Sequence, residues 1–105
     1  MNIAVIWEAR FGSTNEQSGL EVTRKIWQDM LHLADCLDYT IVRDQEEQGH
    51  ILVISQWSSS EIANAAKNRY AAHPNAVIAN QLALEAPRQW VGLPENTPVA
   101  GREAA

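Results

Sequence analysis

The sequence predicts an α+β domain whose four strands and helices follow one another in the order β-α-β-β-α-β, with an antiparallel sheet. Three observations carry this. The opening stretch NIAVIWEARF is rich in β-formers, and the segment from about Glu16 to Ala34 repeats its apolar residues with helical period. HILVISQW is an apolar strand that runs directly into the serine-rich start of a second helix. The 105 residues suffice for one core and are too few for two.

In the first strand Ile3, Val5, Trp7, Ala9 and Phe11 share one face, and Ala4, Ile6, Glu8 and Arg10 share the other. Both faces begin apolar, so both are expected to be covered near the start of the strand. GSTN then breaks it with turn formers. Along the first helix Leu20, Thr23, Trp27, Met30, Leu31 and Ala34 make a stripe, widened by Val22, Ile26 and Leu33. Glu21, Arg24, Lys25 and Asp29 fall largely outside it. CLDYTIVRD is the second strand, with Leu37, Tyr39 and Ile41 opposite Asp38, Thr40 and Val42. The polar turn DQEEQGH joins it to the third strand as an antiparallel hairpin. There the run from Ile51 to Ile54 is apolar without interruption, which predicts burial on both faces.

Ser58 and Glu61 have the spacing of a capping box and open the second helix, along which Ile62, Ala66, Tyr70 and His73 recur on one face. Pro74 disfavours the helical conformation at His73, so the helix ends or bends there. The proline can in turn occupy the first turn of a new helix over NAVIANQLALEA. RQWVGL is the last strand. Residues 93–105, rich in Pro, Gly and Ala, read as a flexible tail after a domain spanning 1–92. The order of elements is that of a ferredoxin-like split βαβ unit.

The totals exclude several classes of function. Net charge is −5 and no basic run exceeds Arg24-Lys25, so a phosphate-neutralising nucleic-acid surface is not expected. The apolar run at the N-terminus is too short for a membrane span or signal peptide, so a cytoplasmic protein with no membrane partner is expected. The single cysteine, Cys36, has no partner for an internal disulfide and reads as a small buried residue. His32 and His50 read as surface or turn residues, and no histidine–carboxylate spacing suggests a metal. Strands one and three are apolar on both faces, whereas helices can cover only one. Leaving the other wet would cost several kcal/mol at roughly 25 cal/mol per Å², so a homodimer joined sheet to sheet is expected.

The strand–helix–strand order, CLDYTIVRD, a turn and then HILVISQWSSSEIANAAKNRYAAHP together resemble the antibiotic-biosynthesis-monooxygenase-like domain of the dimeric α+β barrel superfamily. The resemblance covers roughly residues 2–92. It implies a homodimeric barrel with a pocket in each subunit between the sheet and its helices. It also implies a cofactor-free monooxygenase acting on a small aromatic, phenolic or quinone-type compound, or a non-catalytic small-molecule-binding dimer of the same fold. Asp35 and Asp38 stand where relatives often have glycine. The haem-degrading branch needs an Asn on strand one and a Trp on the second helix. Here Glu8 and Ala66 lie near those positions and His73 falls early for the haem ligand, which argues against haem degradation.

Five residues are candidates for a site. His73 could take a phenolic proton, since an imidazole with a pKa near 6.5 suits that role, or could simply cap the helix end. Glu8, a carboxylate on an apolar strand, is a candidate for a raised pKa and a catalytic contact, or for an ion pair with Arg10. Tyr70, Trp57 and Trp27 could wall a pocket and hold a flat substrate, or could be packing residues of the core.

Overall fold

The computed structural model describes residues 2–95. Strand β1 (Ile3–Arg10) lies inside a four-stranded sheet, flanked by β3 (His50–Trp57) and β4 (Arg88–Gly92). Strand β2 (Asp38–Arg43) closes the far edge, giving the order β2-β3-β1-β4 with every pairing antiparallel. The helices are α1 (Glu16–Leu33), α2 (Ser60–Ala72) and α3 (Pro74–Leu82). The expected corner at His73-Pro74 is present, so the second crossover carries two helices. Within the expected tail, residues 93–95 are irregular and 96–105 lie outside the described residues.

Alternation along the strands decides what is buried. Ile3, Val5, Trp7, Ala9 and Phe11 all point to the helical layer and are buried, as are Ile51, Val53, Ser55 and Trp57 of β3. From α1, Leu20, Val22, Ile26, Trp27 and Met30 complete the core. Two polar side chains in it are satisfied locally. The Thr23 hydroxyl donates to the Gly19 carbonyl at 2.7 Å, and the Ser55 hydroxyl donates to the Val5 carbonyl at 3.1 Å while accepting from the Trp57 indole at 2.8 Å. Gly19 is required for a packing reason: a Cβ there would come within 2.4 Å of the Phe11 ring.

One local expectation needs adjustment. The N-cap of α2 is Ser59, whose side chain accepts from the Ile62 amide, and not Ser58. Three consecutive serines offer the same cap chemistry, and the one with extended backbone at the first turn takes the role. Asp35 has φ 58°, the left-handed conformation that glycine adopts without cost. An aspartate is among the few other residues that tolerate it.

The face of the sheet away from the helices is not covered in the single chain. Thr40, Ile54, Ile6 and Trp90 form one row across all four strands, and Val42, Leu52, Glu8 and Arg88 form the next. The continuous run in β3 therefore splits: Ile51 and Val53 are fully buried, Leu52 is half-buried and Ile54 is exposed.

Candidate functional site

Three tryptophans are fully enclosed between the sheet and the helices: Trp7 on β1, Trp27 on α1 and Trp57 on β3. Only the Trp57 indole has a protein acceptor, Ser55 Oγ. The Trp7 Nε1, the Trp27 Nε1, the Tyr70 hydroxyl and Gln89 Oε1 are buried polar atoms without a protein partner. Trp7 and Gln89 are register partners on β1 and β4, so they share the inner face. Tyr70, from α2, meets Trp7 edge-on with ring centroids 6.2 Å apart. Burial pushes the Tyr70 phenol above its ordinary pKa; the nearby Trp7 N–H tempers the rise without reaching bonding geometry. The phenol is therefore a hydrogen-bond donor throughout the neutral range.

His73 sits at the α2–α3 corner and is engaged at both nitrogens. Its Nδ1 accepts from the Asn75 amide at 3.1 Å as the N-cap of α3, and its Nε2 lies 2.8 Å from Asp29 Oδ2 on α1. Because Nδ1 accepts, the proton resides on Nε2 and is donated to Asp29. These residues line a cleft of about 380 Å³ with Met30, Arg69, Ala72 and Pro74. Met30 belongs to the core, whereas Trp27, Trp57 and Tyr70 do not line this cleft.

Glu8 is elsewhere. It points to the outer face of the sheet, opposite Trp7, Trp27, Trp57 and Tyr70, and does not share a site with His73. Its Oε2 lies 2.7 Å from His50 Nε2 and 3.4 Å from Arg10 Nη1. The His50 bond, then the Arg10 guanidinium, hold its pKa below the ordinary carboxylate value, where burial alone would raise it. The expected upward shift is thus reversed, because the apolar strand supplies a cation from its neighbour across the register.

His50 was expected to be a plain turn residue and is instead the centre of this group. Its Nδ1 lies 2.7 Å from Asp44 Oδ2, and its side chain is only 11% exposed. Ionised carboxylates only accept, so a ring between two of them carries both protons. Asp44, then Glu8, raise its pKa against the opposing effect of burial, and Asp44 is lowered in return. Glu47, bonded to Arg10 Nε at 3.0 Å, completes the cluster, and one ligand atom each from Asp44, Glu47 and His50 lie within 4.8 Å of one another. The sequence spacing was not read as bringing a histidine and carboxylates together, and the turn does so. The regular spacing of Asp44, Glu47 and His50 was visible in the turn. The contact between Glu8 and His50 was not, since it depends on the register that sets Arg10 opposite His50.

No family model matches the chain, and no curated protein matches it in sequence. Solved structures do. The chain is similar to SnoaB, a cofactor-independent oxygenase from Streptomyces nogalater, at 11% identity and TM-score 0.75, over 91% of this chain and 95% of that one. The chain has the fold of the antibiotic biosynthesis monooxygenases. Another protein of that description is 18% identical, with TM-score 0.68 over 91% of this chain and 99% of its own. A conserved protein from Methanosarcina mazei Go1 is 9% identical, with TM-score 0.71 over 90% and 94%. Among the described residues, no helix is long and apolar enough to cross a membrane.

Proposed function

We propose that this chain is a cofactor-independent oxygenase whose homodimer holds a small aromatic, phenolic or quinone-type compound between the sheet and its helices. The observation that carries this is the set of unpartnered polar atoms in the buried layer: Trp7 Nε1, Trp27 Nε1, Tyr70 hydroxyl and Gln89 Oε1. Buried polar groups in folded proteins are almost always bonded, so four in one layer call for a polar guest. Three are donors and one is an acceptor, a set that suits an aromatic oxygen together with a second hydroxyl. Trp27 and Trp57 supply flat apolar walls. As a phenol loses its proton, charge grows on the oxygen and the donors bind it more strongly.

The proton acceptor in this reading is His73, oriented by Asp29 beside the cleft. Its Nδ1 must release the Asn75 amide to take the substrate proton. The electrons come from the substrate: a phenol and one dioxygen give a quinone and one water. Glu8, on the other face of the sheet, is assigned no step.

Oxygen uptake by chelator-treated protein with a panel of quinols and naphthols tests this. The parent should turn over at least one of them, and Tyr70→Phe should lower the rate about tenfold or more, the worth of a hydrogen bond to a developing charge. Equal rates, or no uptake with any compound, would sink the oxygenase reading. One observation favours a second reading, a non-catalytic binding dimer: the acceptor nitrogen of His73 is already occupied. Saturable tryptophan quenching by a quinone without turnover would select it.

A further inference from the structure

Outside the buried layer, the turn between β2 and β3 gathers a different set of groups, and we propose that Asp44, Glu47 and His50 form a site for a first-row divalent cation such as Zn²⁺ or Mn²⁺. One ligand atom from each lies within 4.8 Å of the other two. Each of these side chains also has one end already fixed by the protein. Asp44 Oδ1 accepts from the amides of Glu46 and Glu47, at 2.8 and 3.3 Å, so the oxygen offered to the ion is Oδ2, which is bonded to His50 Nδ1 in its absence. Glu47 Oε2 accepts from Arg10 Nε, which leaves Oε1. His50 Nε2 is bonded to Glu8 Oε2 at 2.7 Å, so the nitrogen offered to the ion is Nδ1, which is bonded to Asp44 Oδ2 in its absence.

The Glu8–His50 bond is the arrangement by which metal-binding histidines are oriented: a carboxylate behind the ring fixes the tautomer and makes the ligating nitrogen more basic. Glu8 and His50 side chains are 14% and 11% exposed, so this support is sheltered from water. The turn itself is held in place. The Phe11 amide donates to the Gly49 carbonyl at 2.7 Å, and the Gly49 amide donates to Glu16 Oε2 at 2.8 Å.

Distances fit with an adjustment. Ligand atoms around a tetrahedral ion with bonds of about 2.0–2.1 Å stand about 3.3 Å apart, so Nδ1 and Oδ2, now 2.7 Å apart, must part by about 0.6 Å, and any pair near the 4.8 Å limit must close by about 1.5 Å. The ion takes the place of the Nδ1 proton. Within the bonded group, three carboxylates and one guanidinium around a neutral imidazole leave two negative charges, which a divalent ion balances. One nitrogen with two carboxylate oxygens is a mixed set that suits Zn²⁺ and Mn²⁺ better than softer or harder ions.

Calorimetric titration of the chelator-treated full chain with Zn²⁺ should give saturable one-to-one binding in the micromolar range. His50→Ala and Asp44→Asn should each abolish it, Glu8→Gln should weaken it about 10–100-fold, and His32→Ala should leave it unchanged. Retained binding in His50→Ala, or no saturation with the parent, would overturn the site. A measurement on the parent alone guards against unfolded variants. Substoichiometric Mn²⁺ should broaden amide signals around residues 44–50 first, whereas broadening spread over the acidic surface would refute the proposal.

Discussion

His73 shows how one side chain can be chemically suggestive and structurally employed at once. The sequence offered it either as a base or as the place where a helix stops. In the fold it stops α2, caps α3 and ties both to Asp29. Capping bonds of this kind contribute about 1 kcal/mol. His73→Ala should therefore lower stability by about that amount in urea unfolding, while His73→Asn, which keeps a cap acceptor, should lose much less. If His73 also takes the substrate proton, both variants should lose turnover equally, so the pair separates the two roles. The capping role was legible from His-Pro alone, since Pro74 fixes the chain's exit. The Asp29 contact was not, because it spans 44 residues and two helices. Trp27 and Trp57 were legible as enclosed aromatics, but their indole partners were not: Ser55 lies two residues from Trp57 on the same strand face, whereas Trp27 has no protein acceptor.

At the level of elements, periodicity gave the strands and the first two helices with little displacement, because each buries one face against a single layer. The helix expected over NAVIANQLALEA ends four residues early, at Leu82. Caps and turns were harder. The β2–β3 connection reads simply as polar, yet it is clamped from both sides of the sheet. Gly49 has φ +80°, and a Cβ there would lie 2.2 Å from the Gly12 carbonyl oxygen. Backbone cannot move aside as a flexible side chain can. Gly49→Ala should cost about 3 kcal/mol or more, combining left-handed strain with a clash, and should move the urea midpoint accordingly. Gly12→Ala meets only the Leu84 side chain at 3.5 Å, although its φ of +75° adds strain, so its loss should be smaller.

On the scale of the whole molecule, the outer sheet face is the surface on which the proposed homodimer rests. Val42, Ile54 and Trp90 are each more than a third exposed, in adjoining rows of the sheet, with Ile6 and Leu52 between them. Single exposed apolar residues are ordinary, but a contiguous patch on a small domain marks a contact surface. In the proposed homodimer this face is the seam. Ile54→Lys, at its centre, should convert a dimer into a monomer by light scattering at micromolar concentration, with the far-ultraviolet circular dichroism unchanged. A parent that already scatters as a monomer would remove the seam from the proposal. This feature was readable from the uninterrupted Ile51–Ile54 run, since apolar residues on both faces cannot all be served by helices on one.

The clamp on the β2–β3 connection also constrains what evolution can do there. One peptide unit more or fewer between Asp44 and Gly49 would pull Gly49 off its seat against Gly12 and His50 off Glu8 in the same stroke. Length variation among descendants of this chain is expected to collect instead in the segment 85–87, beyond the Leu84 amide that donates to the Arg10 carbonyl at 2.7 Å, where Glu85 and Ala86 are open to water.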